Sequence, residues 1–116
     1  MASWRGRLTE LLALALETGS QAAVGAGDNA RALFLANEAT TRSPLRERSH
    51  RCLMAAHAAA GNRGEALRVY QRLRYRLAQE LGVDPSLDTE GASARLLVEL
   101  LAAATRPDCT QRPQWE

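Results

Sequence analysis

The sequence predicts an all-α fold in which about five helices pack as antiparallel hairpins. Alanine and leucine dominate the composition, and all fifteen basic residues are arginine, a mixture that favours helix. Apolar residues recur at steps of three and four along most of the chain. Two turn signals, Gly27-Asp28 and Gly61-Asn62, interrupt this pattern. Together these observations predict one small helical domain.

The first two helices are expected on either side of the Gly27-Asp28 turn. The first helix is predicted to bury one apolar stripe, made of Trp4, Leu8, Leu11, Leu12, Ala15 and Leu16. It is expected to continue to Ala26, and Asp28 is then the expected N-cap of the second helix. The apolar positions of the second helix are Ala32, Leu33, Leu35, Ala36 and Ala39.

The third and fourth helices are expected to form a hairpin about the Gly61-Asn62 turn. Ser43 is predicted to cap the third helix, with Pro44 in the first helical position, where the missing N–H is not needed. Asn62 and Glu65 have the spacing of a capping box that opens the fourth helix.

A fifth helix is expected after the fourth ends near Leu81, with Gly82 in a left-handed conformation. Its apolar positions include Leu96, Leu97, Leu100 and Leu101. Residues 1–104 are therefore predicted to form the domain. Residues 105–116 contain two prolines and no apolar period, so we expect a flexible C-terminal tail there.

The two turn signals belong to an internal repeat. A shift of 34 residues places Gly27-Asp28 on Gly61-Asn62 and Ala32-Leu33 on Ala66-Leu67. A 34-residue period with two helices in each unit resembles the tetratricopeptide pattern. Because such units cannot bury their apolar faces alone, we expect two stacked repeats with the fifth helix as a C-terminal cap.

The second unit carries a longer pattern. It consists of Ser43-Pro44-Leu45-Arg46-Glu47-Arg48, Leu53-Met54, Gly61, Glu65-Ala66-Leu67, Tyr70, Leu73-Arg74, Leu77, Glu80-Leu81-Gly82-Val83 and Asp84-Pro85. In order and spacing it closely resembles the bacterial transcriptional activator domain of antibiotic-regulatory-type (SARP-like) activators. In that family the helical domain follows an N-terminal winged-helix DNA-binding domain, and the pair activates transcription of biosynthetic gene clusters.

The chain departs from this family pattern at its start. Only about forty residues precede the matching stretch, and they already have the pattern of two repeat helices. We therefore expect the protein-contact half of a bacterial activator, whether as a fragment, a truncated frame or a stand-alone regulator. The expected partner is a protein, either the transcription machinery or a DNA-binding domain. Sequence-specific DNA binding by this chain alone is not expected.

Three arginines form the candidate partner-binding surface. Arg68, Arg72 and Arg76 are spaced by four residues and lie opposite the predicted apolar arc of the fourth helix. That arc consists of Ala66, Leu67, Val69, Tyr70, Leu73, Leu77, Ala78 and Leu81. Such an arginine row has three interpretations: a surface for an acidic protein, a surface for the DNA phosphate backbone, or a solvated helix face. The whole-chain net charge of +2 is too small to decide among them.

Arg74 is a candidate for a structural ion pair, because it falls within the predicted apolar arc, where an unpaired guanidinium is costly to bury. Pairing of the third and fourth helices brings Glu47 to the same level. We therefore predict an Arg74–Glu47 ion pair. Glu80 is the alternative partner of Arg74, and Arg51 is the alternative partner of Glu47.

No enzymatic activity, cofactor or metal is expected, since the sequence has no phosphate-binding loop, nucleophile elbow or paired catalytic carboxylates. His50 and His57 lie seven residues apart, too far along one helix to share a metal ion, so we expect them to pack between repeats. A disulfide between Cys52 and Cys109 is not expected. The chain lacks a signal peptide or membrane-spanning stretch, which predicts a cytoplasmic location.

Two further functional interpretations remain open at this point. One is a stand-alone tetratricopeptide-like adaptor with no role at a promoter, and the other is a weak DNA-backbone binder. Because a two-unit repeat has open ends, a homodimer formed through the first or fifth helix is a further hypothesis.

Overall fold

The computed structural model describes residues 4–105, which form five helices and their short connections. The helices are α1 (Trp4–Gly25), α2 (Asn29–Arg42), α3 (Glu47–Ala59), α4 (Arg63–Leu81) and α5 (Leu87–Thr105). Within this described part no strand occurs. The predicted all-α fold of about five helices is confirmed. The tail predicted for residues 105–116 lies, beyond Thr105, outside the described residues.

The helices pack in a pattern that repeats along the chain. α1 packs against α2 and α3 packs against α4, so each unit is a hairpin joined by a short turn. Both helices of the first hairpin also contact α3, and both helices of the second hairpin contact α5 in the same way. Two stacked hairpins capped by α5 therefore account for the architecture.

Small side chains allow these helices to approach closely. The core cluster contains Ala23, Ala32, Ala36, Cys52, Leu53, Met54, Ala56, Ala66, Val69 and Leu96. Gly19 shows how close α1 and α2 lie, because a Cβ atom added there would stand 3.1 Å from Leu35 Cδ1. At the other end of the molecule, the Tyr70 hydroxyl donates to Glu90 at 2.8 Å and ties α4 to α5.

Two of the predicted helix ends are confirmed by their hydrogen bonds or backbone angles. The Asp28 side chain accepts a hydrogen bond from the Arg31 amide at 3.1 Å, which makes Asp28 the N-cap of α2. Gly82 follows the last residue of α4 with φ +66°, a left-handed conformation that glycine adopts without strain.

The predicted capping box of α4 is wrong. Asn62 precedes the helix but makes no side-chain capping hydrogen bond. Glu65 turns instead towards Arg68, one turn further along α4, and accepts a hydrogen bond from it at 3.0 Å. A charged donor on the same helix competes successfully with the weaker bond to a backbone amide.

The predicted start of the third helix is also wrong. Ser43 ends α2, where its amide donates to Ala39 O, rather than opening α3. Residues 43–46 form a turn, and α3 begins at Glu47 with Arg46 in an extended conformation as its N-cap residue. The extended Arg46 reaches an acidic side chain on α1, described below, which gives the physical reason for the later start.

The predicted buried stripe of α1 lies mostly on the outside. Trp4, Leu8, Leu11, Leu12 and Ala15 are exposed, and Leu16 alone among the six is half-buried. The residues of α1 that are buried are Ala13, Glu17, Ser20 and Ala23. Because small and polar residues form this inner face, α2 and α3 can approach α1 more closely than leucine side chains would allow. The spacing of apolar residues thus predicted helix α1 correctly but did not predict which side of it is buried.

Within residues 4–105, no helix has both the length and the mean hydropathy of a membrane-spanning segment.

Candidate protein-contact surfaces

The three arginines of the predicted row all lie on the exposed face of α4. The side chains of Arg68, Arg72 and Arg76 are 73%, 65% and 51% exposed. Each is paired within the helix: Arg68 and Arg72 with Glu65, at 3.0 and 3.5 Å, and Arg76 with Glu80 at 2.8 Å. Two carboxylates thus offset much of the charge of three guanidinium groups, and such exposed pairs contribute little to stability.

The predicted Arg74–Glu47 ion pair does not form. Arg74 is exposed, because the buried stripe of α4 is narrower than the predicted arc and consists of Ala66, Val69, Leu73 and Leu77. Among the ion pairs of residues 4–105, Arg74 makes none with Glu47 or with the alternative Glu80, which pairs with Arg76. With its guanidinium in solvent, Arg74 needs no buried partner.

Glu47 instead fixes the start of α5. Its carboxylate accepts hydrogen bonds of 2.8 Å from the Ser86 amide and from the Thr89 hydroxyl. Arg51, one turn along α3, donates to the same Thr89 hydroxyl at 2.9 Å. Burial tends to raise the pKa of Glu47, but the bonds from Ser86 and Thr89 outweigh it, so this pKa lies below its ordinary value. The network joins the second hairpin to its capping helix.

A buried carboxylate that the sequence analysis did not single out joins the two hairpins. Glu17 of α1 is fully buried. Arg46 donates to both of its oxygens, at 2.7 and 3.1 Å, and the Ser49 hydroxyl donates at 2.6 Å. The Nε atom of Arg48, a half-exposed side chain, lies 3.7 Å from Glu17 Oε1. We call these four residues the Glu17 clamp.

The Glu17 clamp holds its carboxyl in the ionised form. Burial by itself would raise the pKa of Glu17, yet the hydrogen bonds from Arg46 and Ser49 and the positive charges of Arg46 and Arg48 prevail. The pKa of Glu17 therefore lies below its ordinary value. One signal in the sequence pointed to it: Glu17 lies on the same helical face as the small residues Ala13 and Ser20, the face that is buried.

Two exposed apolar faces mark the ends of the repeat stack. The α1 apolar face consists of Trp4, Leu8, Leu11 and Leu12. The α5 apolar face consists of Leu97, Val98 and Leu101. Trp4 is 69% exposed and Val98 is 65% exposed, so both faces carry large apolar groups in contact with water. Contiguous apolar surface of this kind is typical of interaction sites.

A groove of about 590 Å³ lies between α3 and α5. Small residues, including Ala55, Ala58 and Gly91, form part of its lining. Arg51 and Arg95 contribute positive charge, and Asp88 and Glu99 contribute negative charge. The opposing charges give this groove no clear preference for an acidic or a basic ligand.

Both histidines are partly buried, and Cys52 is buried. His50 donates from Nε2 to Pro44 O at 2.7 Å, and burial lowers the pKa values of both His50 and His57. The Cys52 thiol is buried, which raises its pKa. Cys109 lies outside the described residues. Within residues 4–105, no three His, Cys, Asp or Glu side chains are grouped so that they could hold a metal ion.

The stacked hairpins and their capping helix define an all-α domain of the helical-repeat class. Comparison with known sequences gives its family: residues 1–97 match the bacterial transcriptional activator domain, and the chain belongs to that family. The family resemblance noted in the sequence is thereby confirmed.

Two curated relatives are regulatory proteins of Streptomyces. The chain is 40% identical over 95 residues to the regulatory protein AfsR of Streptomyces griseus, covering 81% of this chain and 9% of that protein. It is 37% identical over 111 residues to AfsR of Streptomyces coelicolor, covering 91% of this chain and 11% of that protein. The chain thus spans about a tenth of the length of these relatives. No solved structure was found to match it.

The Glu17 clamp generates a prediction for stability and its pH dependence. Replacing Glu17→Gln is expected to lower the free energy of unfolding at pH 7 by about 1–2 kcal/mol, a reduced value because Arg46 is 32% exposed and can be hydrated. A group with a lowered folded pKa stabilises the fold above its unfolded pKa, and this contribution is lost as pH falls through the folded value. Urea unfolding should show the two proteins converging below about pH 4.

The matched control is Glu38→Gln, which removes the exposed i, i+4 partner of Arg42. Its unfolding free energy should stay within about 0.5 kcal/mol of the unsubstituted protein at pH 7. Equal effects of the Glu17 and Glu38 substitutions, or a Glu17 effect that persists unchanged into acid, would contradict the role assigned to the Glu17 clamp.

Glu47 and Arg74 generate a second prediction, which separates the observed network from the ion pair expected from sequence. Glu47→Ala should lower the unfolding free energy by about 1 kcal/mol and increase hydrogen exchange at the start of α5, because Ser86 and Thr89 lose their acceptor. Arg74→Ala should change neither quantity measurably. Equal losses in the two variants, measured by urea unfolding, would instead indicate a direct pairing of Glu47 with Arg74.

Proposed function

We propose that the chain acts through protein contacts in transcriptional activation and carries out no catalysis itself. The observation that carries this proposal is the pair of exposed apolar faces, one on α1 and one on α5. A domain that keeps such groups in water while its core is built largely from alanine is organised to present surface to another protein. Membership of the bacterial transcriptional activator domain family supports a role in transcription.

The relatives support a division of labour within a larger regulator. The chain corresponds to about a tenth of the length of two regulatory proteins, so most of each relative lies outside the matched region. We infer that DNA binding is supplied by another domain or protein. The chain then contacts that component, or the transcription machinery, in the bacterial cytoplasm.

The weak DNA-backbone alternative loses support from the arginine row. Glu65 and Glu80 already pair with Arg68, Arg72 and Arg76, so phosphate binding must break these pairs before it gains new contacts. As a partner-binding surface for protein, the same row stays a prediction. Burial of the apolar faces against a partner should contribute more binding free energy than the arginine row, because no existing bonds have to be broken first.

A tethering experiment tests the proposed function. The 116-residue chain is fused to a DNA-binding domain that has no activating function, and transcription of a reporter with the matching operator is measured in a Streptomyces host. Transcription should rise several-fold over the DNA-binding domain alone. Leu11→Asp or Val98→Asp should reduce this activation, because each places a charge on an apolar face. Arg74→Ala changes an exposed side chain outside both apolar faces and outside the arginine row, and should leave activation unchanged.

Several results would contradict the proposal. A fusion that folds but does not activate favours an adaptor with no role at a promoter. Loss of activation only in Arg72→Ala, together with duplex-DNA binding that weakens steeply with salt, favours the DNA-backbone interpretation. Circular dichroism of each variant establishes that the helices are retained.

A further inference from the structure

We propose that the N-terminal half of α1, together with Arg46, forms a docking site for an acidic amphipathic helix of a partner protein. This inference rests on the proposed protein-contact function and gives that function a location and a partner chemistry.

The lengths of the helices leave the docking site open. α1 has 22 residues and spans about 33 Å, whereas α2 has 14 residues and spans about 21 Å. The two helices are joined through the turn after Gly25, so α2 lies alongside the C-terminal part of α1. Residues 4–12 are all exposed, and Ala13 is the first buried residue of α1. The first turns of α1 thus project beyond the hairpin.

The projecting turns carry the spacing that one helix presents to another. Trp4, Leu8 and Leu11 recur at four and three residues and share one side of α1. Leu11 is 61% exposed and, with Leu14, lines a groove of about 310 Å³ beside Arg46. A stripe next to a groove suits a partner helix that inserts an apolar anchor residue.

The charges around this stripe select an acidic partner. On a helical projection, Arg5 and Arg7 lie on opposite sides of the stripe. Arg46 lines the groove, and Arg48 lies beside the same buried acid. Glu10, which lies in the groove lining, is the exposed carboxylate among them, since Glu17 is buried and already bonded. Arg46 already pairs with Glu17, so a helix with acidic flanks would pair mainly with the exposed Arg5 and Arg7. A second copy of the chain would instead bring like charges together.

The α5 apolar face provides a matched comparison. Val98 is about as exposed as Leu11, but α5 has acidic as well as basic residues around it, including Glu99, which pairs with Arg63. It therefore lacks the two-sided arginine flank of α1. A change at Val98 alters apolar surface without touching the proposed docking site.

Fluorescence anisotropy with three labelled peptides of about 18 residues tests the inference. The first has leucines at helical spacing flanked by glutamates, the second replaces those glutamates with lysines, and the third is a scrambled form of the first. The complete chain should bind the acidic peptide at least tenfold more tightly than the other two, with affinity falling as salt rises. Leu11→Asp should weaken binding at least tenfold, and Val98→Asp should not.

A charge-reversal variant keeps the test independent of folding defects. Arg5→Glu combined with Arg7→Glu changes only exposed side chains and should transfer preference from the acidic to the lysine peptide. Equal binding of both peptides, no binding, or equal losses at Leu11 and Val98 would overturn the inference. Sedimentation showing a dimer that Leu11→Asp dissociates would also overturn it, because a second copy then covers the face.

The two proposals fail in different ways. If the tethered chain activates transcription but shows no peptide preference, the docking site is wrong and the protein-contact function stands. If the tethered chain is inactive as well, the function itself is wrong.

Discussion

The buried carboxylate of Glu17 is the constraint on which the relation of the two hairpins depends. An ionised group removed from water costs several kcal/mol unless it is matched by charge and hydrogen bonds. Arg46 and Ser49 supply three such bonds, and both residues belong to the second hairpin or its approach. Any sliding of α1 along α3 breaks these bonds. The carboxylate therefore fixes the register of the stack, which apolar contacts between alanine-rich helices specify less sharply.

The same constraint explains the unusual orientation of α1. Because Glu17 and Ser20 must face inward, where Ser20 donates to Ala32 O at 3.0 Å, the leucines on the opposite side face solvent. An apolar face that is left outside by the internal bonding of the fold is available to a partner. The docking site proposed above thus follows from the packing of the domain as well as from its own residues.

Local patterns in the sequence predicted the helices but not their long-range partners. Apolar periodicity, the Asp28 cap and the Gly82 stop were sufficient because each acts within a few residues. The prediction of which side of α1 is buried was wrong. Apolar periodicity fits equally well whether the leucine stripe or the opposite face of small residues packs against the core. The predicted partner of Glu47, Arg74, was also wrong. Glu47 bonds instead to Ser86 and Thr89, which lie about forty residues further along the chain, and apolar periodicity does not predict the path of the connection that brings them close.

The same distinction between local and long-range features applies to the candidate surfaces. Exposure of the arginine row followed from its position on one helix, whereas the Glu65 and Glu80 pairs that reduce its charge depend on side-chain rotamers. The apolar stripe on α1 was identified from sequence, but its exposure was not, because that exposure arises where a long helix projects past a shorter neighbour. Membership of the bacterial transcriptional activator domain family places these surfaces in a regulatory context.

Native-state hydrogen exchange of the unsubstituted chain tests the central claim, that the Glu17 clamp makes the two hairpins one cooperative unit. The slowest amides of α1 and α2 should have the same opening free energy, and the same denaturant dependence, as the slowest amides of α3 and α4. If the α1 and α2 amides instead open together at a much lower free energy while α3 and α4 stay protected, the hairpins are independent and the claim is contradicted.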